Sequence, residues 1–174
     1  MTDTDIIEAL RSKLMVPTGR HLYTVLGNYA TLKRFAQQLQ QARTPDGESF
    51  PAPLSVTRGI LDGIPDQEFR SLTEYEAKRP EPIAAHVLRA FEDFLRSHLR
   101  GRGVLVLERM EILFAYQSDL SLLRVLTTDA NRILLLLPGR RENGRIVLFP
   151  EDEEFRYILP LSLIAEYHLW ELKD

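Results

Sequence analysis

Two runs, "VLVLE" at 104–108 and "RILLLL" at 132–137, constrain the fold of this chain more than any other feature. Each is apolar at four or more consecutive positions, and neither alternates with polar residues. A strand with one wet face alternates, whereas a strand covered on both faces does not, as in the centre of a parallel sheet packed between helices. "HLYTVL" at 21–26 is a third such segment, short, apolar and partly β-branched. Amphipathic stretches separate them. Residues 3–14 carry Ile6, Ile7, Leu10 and Leu14 at helical spacing, 31–41 carry Leu32, Phe35, Ala36 and Leu39, and 82–99 carry Ile83, Val87, Leu88, Phe91, Leu95 and Leu99. Further helices are expected over 65–77, where Pro65 suits a first turn, and over 118–130, capped by Ser118 or Asp119. "PLSVT" at 53–57 adds a short strand, Asn143-Gly144 signals a turn feeding another, and "AEYHLWEL" near the end reads as an edge strand. Strands alternating with helices predict an α/β fold, a P-loop NTPase-like, largely parallel sheet flanked by helices on both faces. With 174 residues, no internal repeat and no long linker, a single domain over 1–174 is expected.

Composition narrows the chemistry. There are no cysteines, which excludes disulfides, zinc–thiolate sites and cysteine nucleophiles. The formal net charge of −3 supplies no whole-protein attraction to DNA or to an anionic membrane. The first residues, "MTDTDIIEALRSKL", have neither a basic leader nor a long apolar core, so a cytoplasmic protein without membrane association is expected. The four histidines, His21, His86, His98 and His168, lack ligand spacing, and no metal site is expected.

The segment "YTVLGNYATLKRF" sets up the functional question. A phosphate-binding loop reads G-x-x-x-x-G-K-[ST] between a strand and a helix. Gly27 stands in the first position of that pattern and Lys33 in the seventh, but Leu32 replaces the second glycine and Arg34 replaces the Ser/Thr. Leu32 disfavours the positive φ that lets backbone N–H groups approach phosphate, and Arg34 cannot ligate Mg²⁺. "NYAT" has the composition of an ordinary helix start. The partner element of such a site is an apolar strand ending in an acid. "VLVLE" ends in Glu108, with a second carboxylate at Glu111, about 75 residues after the lysine. The set comprises a degenerate phosphate loop (Gly27, Lys33, Arg34) and vestigial catalytic acids (Glu108, Glu111), with ATP or ADP the only cofactor it suggests.

The chain resembles the small P-loop protein of type 3 BREX phage-exclusion systems, the BrxF family. The likeness rests on "VLVLERMEILFAYQSDLSLLRVL", similar to that family's strand ending in acid-x-x-E-I-L-F before a D-x-L-x-L-L helix. It continues through the buried strand, the N-G turn and the stretch 154–157, with "RPEPIAAHVLRAFEDFL" and the phosphate-loop segment upstream. The resemblance implies an ATPase-like accessory of a multi-protein anti-phage defence complex, from which Leu32 and Arg34 depart.

Three readings follow. The first is a degenerate P-loop module, its ATPase activity lost, acting through protein partners of a defence complex. The second is an ATP-binding or weakly hydrolysing regulator that keeps Lys33 on phosphate and Glu108 or Glu111 on metal and water. The third is a DNA-contacting accessory using an arginine-rich edge made of the basic pairs Lys33–Arg34 and Arg140–Arg141 with Arg145; separately, the acidic run 151–155 is a solvated charge run or a self-association or partner surface. The first reading also predicts that Arg34 and Glu108, standing where Mg²⁺ ligands would, face each other as a bidentate ion pair.

Overall fold

The computed structural model describes residues 1–65, 67–68, 70–71, 81–99 and 103–173, with only the backbone of 81 and 82. The helix expected over 65–77 therefore lies largely outside the described residues.

In chain order the elements are α1 (Asp3–Leu14), β1 (Leu22–Gly27), α2 (Tyr29–Gln41), β2 (Leu54–Ser55), α3 (Val56–Gly63), α4 (Glu81–Leu99), β3 (Val104–Glu108), α5 (Glu111–Ala115), α6 (Ser121–Leu126), β4 (Arg132–Glu142), β5 (Arg145–Leu148), β6 (Tyr157–Leu159), a 3₁₀ turn (Glu166–His168) and β7 (Leu169–Glu171). The strand order is β2-β3-β4-β1-β7, and every neighbouring pair along it is parallel. The three apolar runs thus form the centre of one sheet, with β4 inserted between the strand ending in Gly27 and the strand ending in Glu108. The sheet is α/β, mostly parallel and flanked by helices, consistent with a P-loop-like arrangement.

Successive side chains of β4 point to opposite faces, so its unbroken apolar run feeds two cores. Ile133, Leu135 and Leu137 join Leu105 and Leu107 against α4 residues Val87, Phe91 and Leu95, while Leu134 and Leu136 join Tyr23, Val25 and Val106 against α1 and α2. Two-sided cover is why this strand shows no alternation. No helix among the described residues is long and apolar enough to cross a membrane.

Beyond the sheet's carboxyl edge, β4 continues to Glu142 and turns back antiparallel into β5, which pairs with β6. Asn143 and Gly144 both have positive φ, 49° and 74°, as the turn signal required. Gly139 marks the change from parallel to antiparallel pairing: a Cβ there would sit 2.7 Å from the Val147 carbonyl oxygen. The arm is longer than the sequence suggests, because β6 is only three residues, Tyr157–Leu159, too short for a strand periodicity to show. The helix expected over 118–130 is also corrected. Gln117 and Asp129 adopt positive φ, 49° and 48°, and helix α6 is confined between them. The N-cap position is Leu120, without a side-chain cap, rather than the expected Ser118 or Asp119; Asp119, one residue earlier, accepts hydrogen bonds from the backbone N–H and hydroxyl of Ser121, both at 2.8 Å.

Candidate functional site

The connection from β1 to α2 decides what the P-loop position can do. Only Asn28 lies between Gly27 and the first helical residue, Tyr29. Asn28 has extended dihedrals, and its side-chain oxygen accepts from the Thr31 N–H at 2.8 Å while its carbonyl accepts from Leu32 N–H at 2.9 Å and from the Thr31 hydroxyl at 3.0 Å. This is an N-cap. It consumes N–H groups that a phosphate loop would direct at its ligand, and it winds the would-be loop into helix. Lys33 becomes the fifth residue of α2 and lies exposed on its side. Leu32 turns inward and is buried in the core beside α1. Gly27 has a different task from the one its motif position suggests: a Cβ would meet the Thr31 hydroxyl at 2.6 Å and Leu172 at 3.2 Å, so the glycine lets the strand end pack against the helix cap.

The sequence-derived residues are divided between two cavities with Tyr29 and Pro138 common to both. The larger, about 550 Å³, is lined by Gly27 and Glu111 together with Gly139, Arg140, Phe149, Phe155 and others. The second, about 420 Å³, holds Lys33 and Glu108 with Arg109 and Leu136. Register explains the split. Leu107 and Thr24 both align with Leu135, whereas Gly27 aligns with Pro138. Gly27 therefore stands two residues further along the sheet than Glu108, about 6–7 Å at strand rise.

Arg34 lines neither cavity. Its Nε and Nη2 donate to the two carboxylate oxygens of Asp3, at 3.0 and 3.1 Å, bridging α2 to α1. The expected bidentate pairing with Glu108 is thus corrected: the carboxylate is that of Asp3, because the capped helix starts early and rotates Arg34 away from the acid-ending strand. Lys33 and Glu108 share a cleft but make no ion pair among the described residues.

Tyr29 organises the partition. Its hydroxyl donates to Glu111 Oε1 at 2.9 Å, and the Arg109 guanidinium lies over its ring, 5.1 Å from the centroid. Desolvation, followed by the Glu111 hydrogen bond, pushes the phenol up to about 12. Arg109 follows β3 with φ of 53°, and its carbonyl accepts from the N–H and hydroxyl of Thr57, at 2.9 and 2.7 Å, which fixes the turn between Glu108 and Glu111.

No family model matches the chain, and no curated protein or solved structure matches it.

The arginine-rich edge is internally compensated. Arg140 pairs with Glu142 at 2.7 Å and with Glu151 at 3.2 Å, and Arg141 pairs with Glu166 at 3.5 Å. Arg145 is exposed, opposite Glu142 in the hairpin ladder. Part of the acidic run 151–155 therefore neutralises an arginine of its own chain.

A histidine–tyrosine cluster at the opposite edge of the sheet escaped the sequence reading, since its members are scattered along the chain. His21 Nδ1 lies 2.8 Å from the Tyr23 hydroxyl, and the His168 ring stacks tilted on Tyr23 with centroids 4.6 Å apart. Both imidazoles are buried, and desolvation, followed by the charges of Arg132 for His21 and Lys13 for His168, holds them below the usual histidine range. The unfolded chain takes up these protons near pH 6.5 while the folded chain resists them, so stability is full above that pH and falls as pH drops below it. Urea unfolding at pH 7.5 and pH 5.5 should show this loss, and a His21→Asn/His168→Asn variant should show a flatter pH dependence. An unchanged dependence in the variant refutes the assignment.

Proposed function

We propose that this protein is a degenerate P-loop module that acts by binding protein partners, without turning over nucleoside triphosphate. The observation that carries the reading is the one-residue connection at Asn28: the N-cap takes up the Thr31 and Leu32 N–H groups, Leu32 is committed to the core, and Lys33 and Gly27 face different cavities. A phosphate cradle needs those donors, that glycine and that lysine converging on one point. The BrxF-like stretch 104–126 supports partners in an anti-phage defence complex. The protein is then an accessory of that complex, with the P-loop scaffold serving as a rigid support for binding surfaces. The paired state of Arg140 and Arg141 argues against direct DNA contact, because phosphate binding would have to compete with carboxylates already in place.

One observation favours the second reading, a weak ATP-binding regulator. Lys33 and Arg109 present cationic groups to a cleft that also contains Glu108. Thermal unfolding with and without Mg-ATP separates the two. A ligand bound only by the folded state, present at a hundredfold excess over its dissociation constant, stabilises by about 2.7 kcal/mol. The expected result is no shift in melting temperature and no ATP hydrolysis above background. A shift or turnover that disappears in Lys33→Ala overturns the proposal in favour of the regulator.

A further inference from the structure

The larger cavity carries charge opposite in sign to that required at a phosphate site. Glu111, Glu151, Asp152 and Glu171 line it, against one base among the described residues, Arg140. Arg140 is already held by Glu142 and Glu151. Glu111, Asp152 and Glu171 form no ion pair among the described residues. Their known hydrogen bonds leave acceptor capacity: Glu111 takes one from Tyr29, Asp152 uses Oδ1 for the N–H groups of Glu154 and Phe155, and Glu171 receives a long 3.4 Å contact from the Arg141 N–H. The remaining wall is apolar and aromatic, with Pro138, Phe149, Pro150, Phe155 and Leu172. At about 550 Å³ the cavity falls in the size range of sites that enclose a ligand.

We propose that this cavity is the seat for a basic side chain, arginine or lysine, projecting from an extended segment of a partner protein. This deepens the partner-binding reading and rests on it. Long basic side chains have a hydrocarbon stem and a charged head. The stem would lie along Phe149, Phe155 and Leu172, and the head would meet the carboxylates at the rim. Aromatic faces attract such a head as well. The occupant is cationic because the unpaired lining charge is negative. A triphosphate would meet repulsion from three carboxylates there.

The test uses the intact protein and a fluorescein-labelled six-residue glycine–serine peptide containing one arginine, compared with the same peptide carrying citrulline. Citrulline keeps the shape and loses the charge. By fluorescence anisotropy the arginine peptide should bind saturably and the citrulline peptide about tenfold or more weaker, the effect of losing a charge-assisted hydrogen bond. Glu111→Gln and Glu171→Gln should each weaken the arginine peptide about threefold to tenfold while leaving the melting temperature unchanged, since an amide oxygen can still accept from the Tyr29 hydroxyl or the Arg141 N–H respectively. Amide-shift mapping on the unmodified protein should locate the peptide at Gly139, Phe149 and Phe155, which keeps the proposal testable even if a variant fails to fold. Equal binding of the two peptides, no binding of either, shifts elsewhere, or equal binding of spermidine overturns it. The two levels fail differently. Lys33-dependent stabilisation by Mg-ATP removes the partner-binding reading itself. An inert arginine peptide with Mg-ATP also inert removes only the proposed occupant.

Discussion

Replacing Leu135 with alanine is expected to destabilise the protein by about 3–5 kcal/mol, enough to consume much of the stability of a typical domain. Leu135 is fully buried at the middle of β4, aligned with Thr24 of β1 and Leu107 of β3. The cavity left by truncation lies against a strand held on both sides by parallel ladders, so it cannot collapse cheaply. Lys33→Ala, by contrast, should change stability by less than about 0.5 kcal/mol, because an exposed helix residue without an ion pair among the described residues has little to lose. Urea unfolding monitored through Trp170 reads both. A Lys33→Ala loss comparable to that of Leu135→Ala would mean that the lysine is built into the fold in a way its exposure does not show.

That contrast marks what could be read from the sequence. The central strands were legible because burial on both faces leaves a continuous apolar run, and the main helices because one buried stripe recurs every three to four residues. The end of β1 was not. Gly27 and Lys33 keep the spacing of a phosphate loop in sequence, but spacing along the chain becomes spacing in space only if the intervening residues form a loop. Asn28 caps a helix instead, and every residue after it turns about 100° from its predecessor. Leu32 therefore enters the core, Lys33 enters one cleft and Arg34 points toward α1. The helix expected over 118–130 failed for a related reason: its apolar positions are satisfied by packing in two short turns, with the reversals at Gln117 and Asp129 hidden from a periodicity argument. The acidic cavity could not be seen at all. Glu111, Asp152 and Glu171 belong to three separate segments, brought together by the strand order and the antiparallel arm.

Arg34→Ala is expected to cost about 2–3 kcal/mol, and Asp3→Ala only about 1 kcal/mol, despite removing the same ion pair. The asymmetry comes from burial. The Asp3 side chain is 8% exposed and the Arg34 side chain 49%. Removing the arginine strands a desolvated carboxylate beside the core formed by Ile6, Ile7 and Leu10, whereas removing the carboxylate leaves a half-exposed guanidinium that water already reaches. The position of Asp3 in the first turn of α1 tempers the penalty, since the positive end of the helix dipole remains. The value thus falls between that of a surface pair, under about 1 kcal/mol, and that of a fully buried one, about 3–5 kcal/mol. In the double variant no carboxylate is left to strand, so its cost should approach that of Asp3→Ala alone, giving a coupling of about 2–3 kcal/mol in a double-mutant cycle. Strict additivity would return Arg34 to the role of a solvated helix residue. The predicted coupling would instead make the arginine at the magnesium-ligand position of the motif a fastener between two helices, a use incompatible with holding a metal ion at the end of β3.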